Sequence, residues 1–331
     1  MTKQIVLKSR PFGTPTAGNF ETRSIELPTV NEGEASLVAH TFSVDPYLRG
    51  RMSNAKSYIA PFQVGEPIVS GLVARVIESK ADNLNVGDYV MDRLPWQEEM
   101  VVPVAGLQKV DEKLAPLSYY LGILGMPGLT AYFGLLDIGK PQKDETVVVS
   151  GAAGAVGLVV GQIAKIQGCR VVGIAGDDSK NEYLMKELNF DAVINYKTVK
   201  DMDAALASAC PSGVDVYFDN VGGKISDAVV EQINKGARII ICGQISLYNS
   251  TSQPIGPRIQ PTLLKRSALM QGFIVSDYAA RFPEGFKALV NWVVGGQLKY
   301  TQTTYHGFDQ LPEAFIALFE GKNLGKLIVE I

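Results

Sequence analysis

The residues from Ser150 to Gly157 read SGAAGAVG, and a turn of such small residues could bind a phosphate group. Gly154 and Gly157 have the spacing of the last two glycines of the dinucleotide fingerprint. Gly151 or Ala152 stands at the earlier small position. Backbone N–H groups in a turn of this kind bind anions together with the positive end of the following helix. A glycine turn can also serve packing alone, so the surrounding elements decide between the two interpretations.

The residues after the second predicted strand indicate which dinucleotide would bind. That strand, Arg170–Ala175, is followed by the uncharged Gly176, whereas an NAD site usually has an acidic residue there for the ribose diol. Lys180 could pair with a 2′-phosphate, helped by the hydroxyl of Tyr196, or it could be an ordinary exposed helix residue. Asp177–Asp178 would repel a phosphate if the two carboxylates faced it. We predict NADP(H).

The elements that must position these residues alternate between strand and helix. Strands are predicted at Val147–Val149, Arg170–Ala175, Ala192–Asn195, Val214–Asp219, Ala237–Ile241 and Leu269–Phe273. Helices are predicted at Leu158–Ile166, Lys180–Leu188, Ala204–Ala209 and Ile225–Ile233. This alternation implies right-handed crossovers and a six-stranded, doubly wound parallel sheet of the Rossmann type in an α/β protein. The glycine turn then follows the first strand, where such sheets bind dinucleotides.

The two ends of the chain predict a second domain. Short strands are predicted at Gln4–Leu7, Arg23–Leu27, Ala35–Ala39, Gly71–Glu78 and Asp88–Asp92, which indicates a barrel-like β-domain. The apolar stretch Leu117–Leu136 is predicted to be a buried helical connection. The tail is predicted to return to the β-domain through a strand, a helix and a strand at Lys299–Thr304, Leu311–Phe319 and Leu327–Ile331. We expect one domain at residues 1–121 and 299–331 and a Rossmann domain at residues 122–298.

Composition excludes several classes of partner. A net charge of −3 offers no basic field for a polyanion, so we expect no nucleic acid partner. No apolar run is long enough to cross a bilayer, and MTKQIVLKSR has no signal-peptide core, so we expect no membrane partner and a cytoplasmic location. The three cysteines and two histidines are scattered, so we expect neither a disulfide framework nor a metal site.

Nine short motifs together resemble the medium-chain dehydrogenase/reductase superfamily, and within it the zinc-free branch of NADP-dependent alkenal and prostaglandin reductases and plant double-bond reductases. They are DPYLRGRM at Asp45–Met52, LGMPGLTAY at Leu124–Tyr132, GAVG at Gly154–Gly157, AGDDSK at Ala175–Lys180, NYK at Asn195–Lys197, FDNVGG at Phe218–Gly223, CGQISLYN at Cys242–Asn249, GFIVSDY at Gly272–Tyr278 and GKNLGK at Gly321–Lys326. The match covers nearly the whole chain. One departure is Asp177, where many members have Ser, and it weakens the case for a 2′-phosphate.

The resemblance implies a fold, a reaction and a set of site residues. The fold is a GroES-like β-barrel catalytic domain with a Rossmann domain inserted, usually in a homodimer. The reaction is NADPH-dependent reduction of the carbon–carbon double bond of small hydrophobic enals and enones. The residues that the resemblance places at NADP(H) are Ala153, Gly154, Ala155, Val156, Gly157, Gly176, Lys180, Tyr196, Asn220, Cys242, Gly243, Ile245, Ser246, Tyr248, Phe273, Ile274, Val275 and Asn323.

Two tyrosines are the candidate catalytic residues for this reaction. Hydride transfer to the β-carbon leaves negative charge on the carbonyl oxygen, which needs hydrogen-bond donors in the absence of a metal. Tyr248 follows the fifth predicted strand and is the first candidate, although it could bind the nicotinamide ribose instead. Tyr47 is the second candidate. Tyr58 and Tyr278 could form an apolar wall of the substrate pocket, or could simply pack in the core.

Two other functions fit the same sequence. A zinc-free NADPH quinone reductase would differ mainly in what its substrate pocket admits. A non-catalytic NADPH-binding sensor or regulatory protein would keep only the cofactor site. The segments Phe273–Val275 and Tyr248 argue against a sensor, because a sensor need not shape a nicotinamide pocket.

Overall fold

The computed structural model describes all 331 residues and divides into two compact units, Met1–Gly122 with Gln302–Ile331, and Ile123–Thr301. The strands, in chain order, are β1 (Thr2–Leu7), β2 (Phe20–Ile25), β3 (Glu34–Val44), β4 (Val69–Ser79), β5 (Tyr89–Pro95), β6 (Glu99–Pro103), β7 (Gln108–Val110), β8 (Thr146–Ser150), β9 (Arg170–Ala175), β10 (Ala192–Asn195), β11 (Val214–Asp219), β12 (Ile233–Ile241), β13 (Leu269–Gly272), β14 (Gln302–His306) and β15 (Lys326–Glu330). The α-helices are α1 (Leu48–Arg51), α2 (Met126–Phe133), α3 (Gly157–Ile166), α4 (Asp178–Lys186), α5 (Met202–Ala209), α6 (Gly223–Glu231), α7 (Gln260–Arg266), α8 (Phe282–Val294) and α9 (Leu311–Glu320).

The second unit, Ile123–Thr301, is built on six parallel strands in the order β10-β9-β8-β11-β12-β13. Every residue of β8 is buried, which explains its run of β-branched side chains. Strands β8 to β10 extend to one side of the sheet and β11 to β13 extend to the other, so the strand order reverses between β8 and β11. The predicted six-stranded doubly wound sheet is confirmed, and its switch point lies next to the glycine turn.

Helix α3 packs tightly because it contains small residues. All its residues from Gly157 to Ala164 are buried. A Cβ atom added to Gly161 would lie 2.0 Å from the ring of Phe190, so only glycine allows this approach. The buried Gln162 side chain exchanges two hydrogen bonds with the backbone of Lys299, at 2.7 and 2.9 Å. The helix therefore sits in a fixed position directly after the glycine turn.

The first unit, Met1–Gly122 with Gln302–Ile331, is a β-sheet unit completed by the end of the chain. Its main sheet has the order β14-β15-β3-β4-β5-β7, with β6 pairing with β3. Strand β15 pairs antiparallel with β3 and parallel with β14, so the tail joins the sheet as predicted. Trp96 lies in the core, where it stacks on Phe20 and meets Phe315 edge-on. Its indole N–H donates to the Ser70 hydroxyl at 2.9 Å.

Several element boundaries differ from the prediction. Ile233 was predicted to end a helix, but α6 ends at Glu231 and Ile233 begins β12 opposite Val214. The predicted strand Lys299–Thr304 is displaced to β14, which begins three residues later at Gln302. At both boundaries the apolar and β-branched residues do not by themselves mark where an element begins or ends. The pairing of the strands in the folded protein sets the boundary.

The apolar stretch Leu117–Leu136 is helical but broken. A 3-10 turn at Leu117–Leu121 is followed by α2 and then by a π-helical turn at Gly134–Gly139. A Cβ atom on Gly128 would lie 1.7 Å from the carbonyl oxygen of Ile123, so the chain is folded tightly on itself before α2. The sequence did not predict α7 or α8. No helix combines the length and apolar character that crossing a bilayer requires.

Candidate functional site

The glycine turn between β8 and α3 is closed on itself. Gly151 has a left-handed backbone with φ +59°, and its carbonyl oxygen accepts the N–H of Gly154 at 2.9 Å. A Cβ atom on Gly157 would lie 2.3 Å from that same oxygen. The turn thus requires glycine where α3 begins, and it brings backbone close to any ligand above the helix N-terminus. This geometry fits the pyrophosphate of a dinucleotide held by Ala153–Val156.

The end of β9 forms a corner with the loop after β10. A Cβ atom on Gly176 would lie 2.6 to 2.8 Å from the ring and hydroxyl of Tyr196, so the tyrosine ring rests directly on this glycine. Lys180 is half-buried on α4. Its pKa is lowered by burial, raised by Asp177 and lowered by the nearby ammonium group of Lys197. Two ammonium groups and a phenol hydroxyl at one corner suit a phosphate.

The two aspartates of this corner are held by neighbouring side chains and backbone. Asp177 caps α4, where its Oδ1 atom accepts the N–H of Ser179 at 2.9 Å and its hydroxyl at 2.5 Å. These hydrogen bonds lower the pKa of Asp177. Asp178 Oδ1 accepts the side-chain amide of Asn195 at 2.6 Å. Each carboxylate therefore already has its own donors, a feature that the sequence pattern did not reveal.

The loop after β11 lies against the glycine turn and is hydrogen-bonded to the loop after β12. The side chain of Asn220 donates to the carbonyl oxygen of Ser150 at 2.8 Å, and its backbone N–H donates to the Ser150 hydroxyl at 3.0 Å. The carbonyl oxygen of Val221 accepts the N–H of Ser246 at 3.1 Å and the Ser246 hydroxyl at 2.7 Å. Asn220, Ser246 and the glycine turn, which the sequence assigned to one cofactor, are thus connected within the second unit.

Tyr248 ends a 3-10 turn at Ile245–Leu247 and is half-buried. Its hydroxyl oxygen accepts the N–H of Gln244 at 3.3 Å. A Cβ atom on Gly243 would lie 3.1 Å from the same oxygen. The Tyr248 hydroxyl therefore lies over the backbone of its own loop, next to the Asn220–Gly222 turn.

Aromatic side chains surround the end of β13. Phe273 meets Phe218 edge-on, with ring centroids 6.5 Å apart. Tyr278 stacks on Phe133 at 4.7 Å and meets Phe273 edge-on at 6.3 Å. Ile274 and Val275 follow Phe273 and are half-buried. The predicted residues Phe273 and Tyr278 thus belong to one aromatic group.

The remaining predicted site residues lie in the first unit. Tyr47 precedes α1, is half-buried against the core, and has a pKa raised by burial and by Asp45. Tyr58 is 63% exposed. Asn323 precedes β15, and its side chain donates to the carbonyl oxygen of Gly325 at 2.8 Å. Tyr47 and Asn323 therefore each lie in a loop at one end of a strand of the same sheet.

All three cysteines are free thiols with raised pKa values. Burial raises the pKa of Cys169 and of Cys210 to about 11. Burial, followed by the charge of Asp219, raises the pKa of Cys242 to about 12. Asp219 itself was not singled out from the sequence, although an acidic residue that ends an apolar strand is a signal that could have revealed it. None of the thiols is suited to act as a thiolate nucleophile.

Two family models match the chain. A model described as the N-terminal domain of oxidoreductase matches residues 3–110, and one described as zinc-binding dehydrogenase matches residues 155–294. This chain has no group of three or more His, Cys, Asp or Glu side chains that could hold a metal ion.

Similar proteins match from end to end. Prostaglandin reductase 1 of Mus musculus is 46% identical, over 99% of this chain and 98% of that protein. The NADPH-dependent curcumin reductase of Escherichia coli (strain K12) is 42% identical, over 98% of this chain and 96% of that protein. The crystal structure of CurA from Vibrio vulnificus in complex with NADPH has a TM-score of 0.94 and 44% identity, over 99% of this chain and 98% of that chain. The predicted fold class and the stated resemblance are confirmed: the chain belongs to the zinc-free branch of the medium-chain dehydrogenase/reductase superfamily.

Proposed function

We propose that this protein is an NADPH-dependent reductase of the carbon–carbon double bond of α,β-unsaturated aldehydes and ketones. The observation that carries the proposal is the end-to-end similarity to an NADPH-dependent curcumin reductase and to prostaglandin reductase 1. The Gly176, Lys180 and Tyr196 corner supports the phosphorylated cofactor, because it offers cationic and hydroxyl groups and no unpaired acid toward a 2′-phosphate.

Three groups of residues in the second unit would hold NADP(H). Ala153–Val156 would hold the pyrophosphate, and Lys180 with Tyr196 would hold the 2′-phosphate. Asn220, Cys242–Tyr248 and Phe273–Val275 would line the rest, and Asn323 of the first unit would hydrogen-bond near the nicotinamide. The bound cofactor supplies a hydride to the β-carbon of the substrate.

Tyr248 and Tyr47 would stabilise the charge that develops on the carbonyl oxygen of the substrate. A tyrosine hydroxyl stays protonated at neutral pH and so can donate a hydrogen bond to that oxygen. The raised pKa of Tyr47 keeps its proton in place over a wider pH range. Tyr58 and Tyr278 would contribute apolar surface for a hydrophobic substrate.

We further propose a homodimer in the cytoplasm. Strand β13 is the edge strand of the second unit's sheet, and an open edge can pair with a second copy. Large apolar side chains are exposed on this strand and before it, at Leu269, Leu264 and Ile255. The three free thiols suit a reducing compartment. Light scattering during size-exclusion chromatography tests the dimer, and a monomer at micromolar concentration would contradict it.

Anaerobic NADPH oxidation with a small substrate panel tests the function. The panel is an alkenal, an enone, a quinone and a saturated ketone, with products identified and NADH run in parallel. We expect turnover of the alkenal and the enone to products that keep the carbonyl group. A saturated alcohol as product would overturn double-bond reduction, turnover of the quinone alone would indicate a quinone reductase, and NADPH binding without any turnover would indicate a sensor.

A further inference from the structure

Asp219, the last residue of β11, is a fully buried acid at the carboxyl edge of the sheet. Its Oδ1 atom accepts four hydrogen bonds, from the hydroxyls of Ser150 at 2.9 Å and Tyr217 at 2.8 Å and from the N–H groups of Val221 and Gly222 at 2.9 Å each. These donors come from the end of β8, from β11 itself and from the turn that follows β11.

The same residue connects three loops. Besides the side-chain bonds to Ser150 and to the Asn220–Gly222 turn, its carbonyl oxygen accepts the N–H groups of Cys242 at 2.9 Å and Gly243 at 3.1 Å. These are the glycine turn, the turn after β11 and the segment after β12. Under the proposed function all three hold the cofactor, so Asp219 lies directly beneath the site without belonging to its surface.

No cation of the chain neutralises this carboxylate. Its Oδ2 atom is buried and has no hydrogen-bond partner, and none of the ion pairs includes Asp219. Its charge nevertheless acts on its surroundings, because after burial it is the next cause of the raised pKa values of Cys242 and Asp227. A buried anion without a countercharge is unfavourable, so a positive charge arriving nearby would be stabilised.

The strand order indicates which half of the cofactor lies near Asp219. The 2′-phosphate corner is at the ends of β9 and β10, on one side of the switch point. Asp219 ends β11, on the other side of the switch point. A dinucleotide that binds across this point has its adenosine half toward β9 and β10 and its nicotinamide half toward β11 to β13.

We propose that Asp219 sets the redox preference of the site, because its uncompensated carboxylate stabilises the positively charged nicotinamide ring of NADP⁺ relative to the neutral ring of NADPH. Asp219 is a positioning residue for three loops and a source of charge, and it does not touch the reacting atoms. This inference rests on the proposed function only for the identity of the cofactor. A site built in this way favours release of the hydride.

The variant Asp219→Asn tests the charge, because the amide keeps an acceptor oxygen for the four donors. We measure the dissociation constants of NADP⁺ and NADPH by fluorescence titration. We expect the ratio of the NADP⁺ constant to the NADPH constant to rise about fivefold in the variant, as for a buried charge acting on a ligand charge in a partly desolvated site. A merely structural role would raise both constants by the same factor and would overturn the proposal.

Two control variants separate charge from structure. Ser150→Ala removes one donor but keeps the carboxylate, so it should change both dissociation constants alike. Asp227→Asn removes a different acid of the same unit and should leave their ratio unchanged. If the ratio of the two dissociation constants changed equally in Asp227→Asn and Asp219→Asn, the effect could not be assigned to the charge of Asp219, and the proposal would be overturned.

The thiol of Cys242 gives a readout that needs no cofactor. Its pKa is raised partly by Asp219, so Asp219→Asn should speed its alkylation by iodoacetamide at pH 9 several-fold, with the labelled site located by mass spectrometry. An unchanged rate would show that no charge was removed beneath the site. If Asp219→Asn does not fold, Asp219→Ser replaces it in both measurements, the ratio of the dissociation constants and the alkylation rate of Cys242. Absence of NADPH binding in the wild type would defeat the proposed function, whereas binding with an unchanged ratio defeats this inference alone.

Discussion

The hydroxyl groups of Tyr47 and Tyr248 have different surroundings. Tyr47 is held against the core of the first unit, where burial raises its pKa. The hydroxyl oxygen of Tyr248 lies over the backbone of its own loop, where it accepts the N–H of Gln244 at 3.3 Å. Removing each hydroxyl by substitution distinguishes a role toward the substrate from a role toward the cofactor.

Tyr248→Phe should lower kcat for an enone about a hundredfold, because one preorganised donor to the developing oxyanion is lost. The KM for NADPH should stay within about threefold if Tyr248 acts on the substrate, and should rise instead if it binds the nicotinamide ribose. Tyr47→Phe is measured in parallel. Tyr305→Phe on β14 is the matched control and should keep full turnover. Full turnover in both Tyr47→Phe and Tyr248→Phe would contradict the donor proposal.

Lys180→Met should raise the dissociation constant of NADPH about 10- to 100-fold, because a charge-assisted contact to the 2′-phosphate is lost while the length of the side chain is kept. The dissociation constant of NADH should not change. Lys287→Met removes an exposed lysine of α8, outside this corner, and serves as the control. An equal rise in the dissociation constants of NADPH and NADH would show that Lys180 does not bind the 2′-phosphate.

The sequence showed Lys180 and Tyr196 as candidates but could not show what Asp177 and Asp178 do. Their effect depends on the direction of each carboxylate, which follows from the cap of α4 and from Asn195. The direction of each carboxylate is set by hydrogen bonds to individual neighbouring residues. Such bonds produce no periodic pattern in the sequence from which they could be predicted.

At the scale of elements, the glycine turn is the feature that the sequence specified best. Gly157 is required because the carbonyl oxygen of Gly151 occupies the space of a side chain. The strand β8 was equally evident, because a fully buried strand needs an unbroken apolar run. By contrast, the exposed α7 and the start of β12 lack a distinctive pattern, and tertiary pairing places them.

Gly157→Ala should distort the turn, since its Cβ atom would lie 2.3 Å from the carbonyl oxygen of Gly151. We expect a loss of about 1–3 kcal/mol in unfolding free energy and a more than tenfold weaker binding of NADPH, measured by urea unfolding and fluorescence titration. Gly18→Ala is the control, because its Cβ atom would make only an ordinary contact, 3.6 Å from Thr16 Oγ1. An unchanged dissociation constant in Gly157→Ala would show that the turn does not shape the cofactor site.

At the scale of the whole molecule, a buried ion pair joins the N-terminal and C-terminal segments that make up the first unit. Lys326 of β15 is 1% exposed, and its Nζ atom donates to the carbonyl oxygens of Val44 and Leu327 at 2.7 and 3.0 Å and to Asp45 Oδ1 at 3.1 Å. The Ser43 hydroxyl donates to the other oxygen of Asp45. The last strand is thereby fixed beside the loop that carries Tyr47.

Lys326→Met should cost about 3 kcal/mol of unfolding free energy, because it leaves the Asp45 carboxylate buried without its cation. Urea unfolding followed by tryptophan fluorescence measures the change. The double variant Lys326→Met with Asp45→Asn should recover part of the loss, since no buried charge remains. Lys3→Met, which breaks the exposed pair with Asp309, is the control and should stay within about 1 kcal/mol. Equal effects of the two single lysine variants would contradict this account.

We predicted the division of the chain from composition and alternation, because β-rich ends and a strand–helix middle need different partners to bury their apolar faces. The proposed place of the cofactor site rests on the strand order. The network around Asp219 was not predicted, because its donors from β8, β11 and the turn after β11 come together only after folding. The same holds for Lys326, which reads in the sequence as one more surface lysine.

The raised pKa values of the three thiols affect how fast these thiols react with the proposed substrates. Enals and enones are electrophiles that add to thiolates, and they react far more slowly with protonated thiols. Cys169, Cys210 and Cys242 hold their protons at neutral pH, so almost no thiolate is available to the substrate class proposed for this protein. Covalent addition of such compounds at these three thiols should therefore be slow, and at Cys242 the charge of Asp219 adds to the effect of burial.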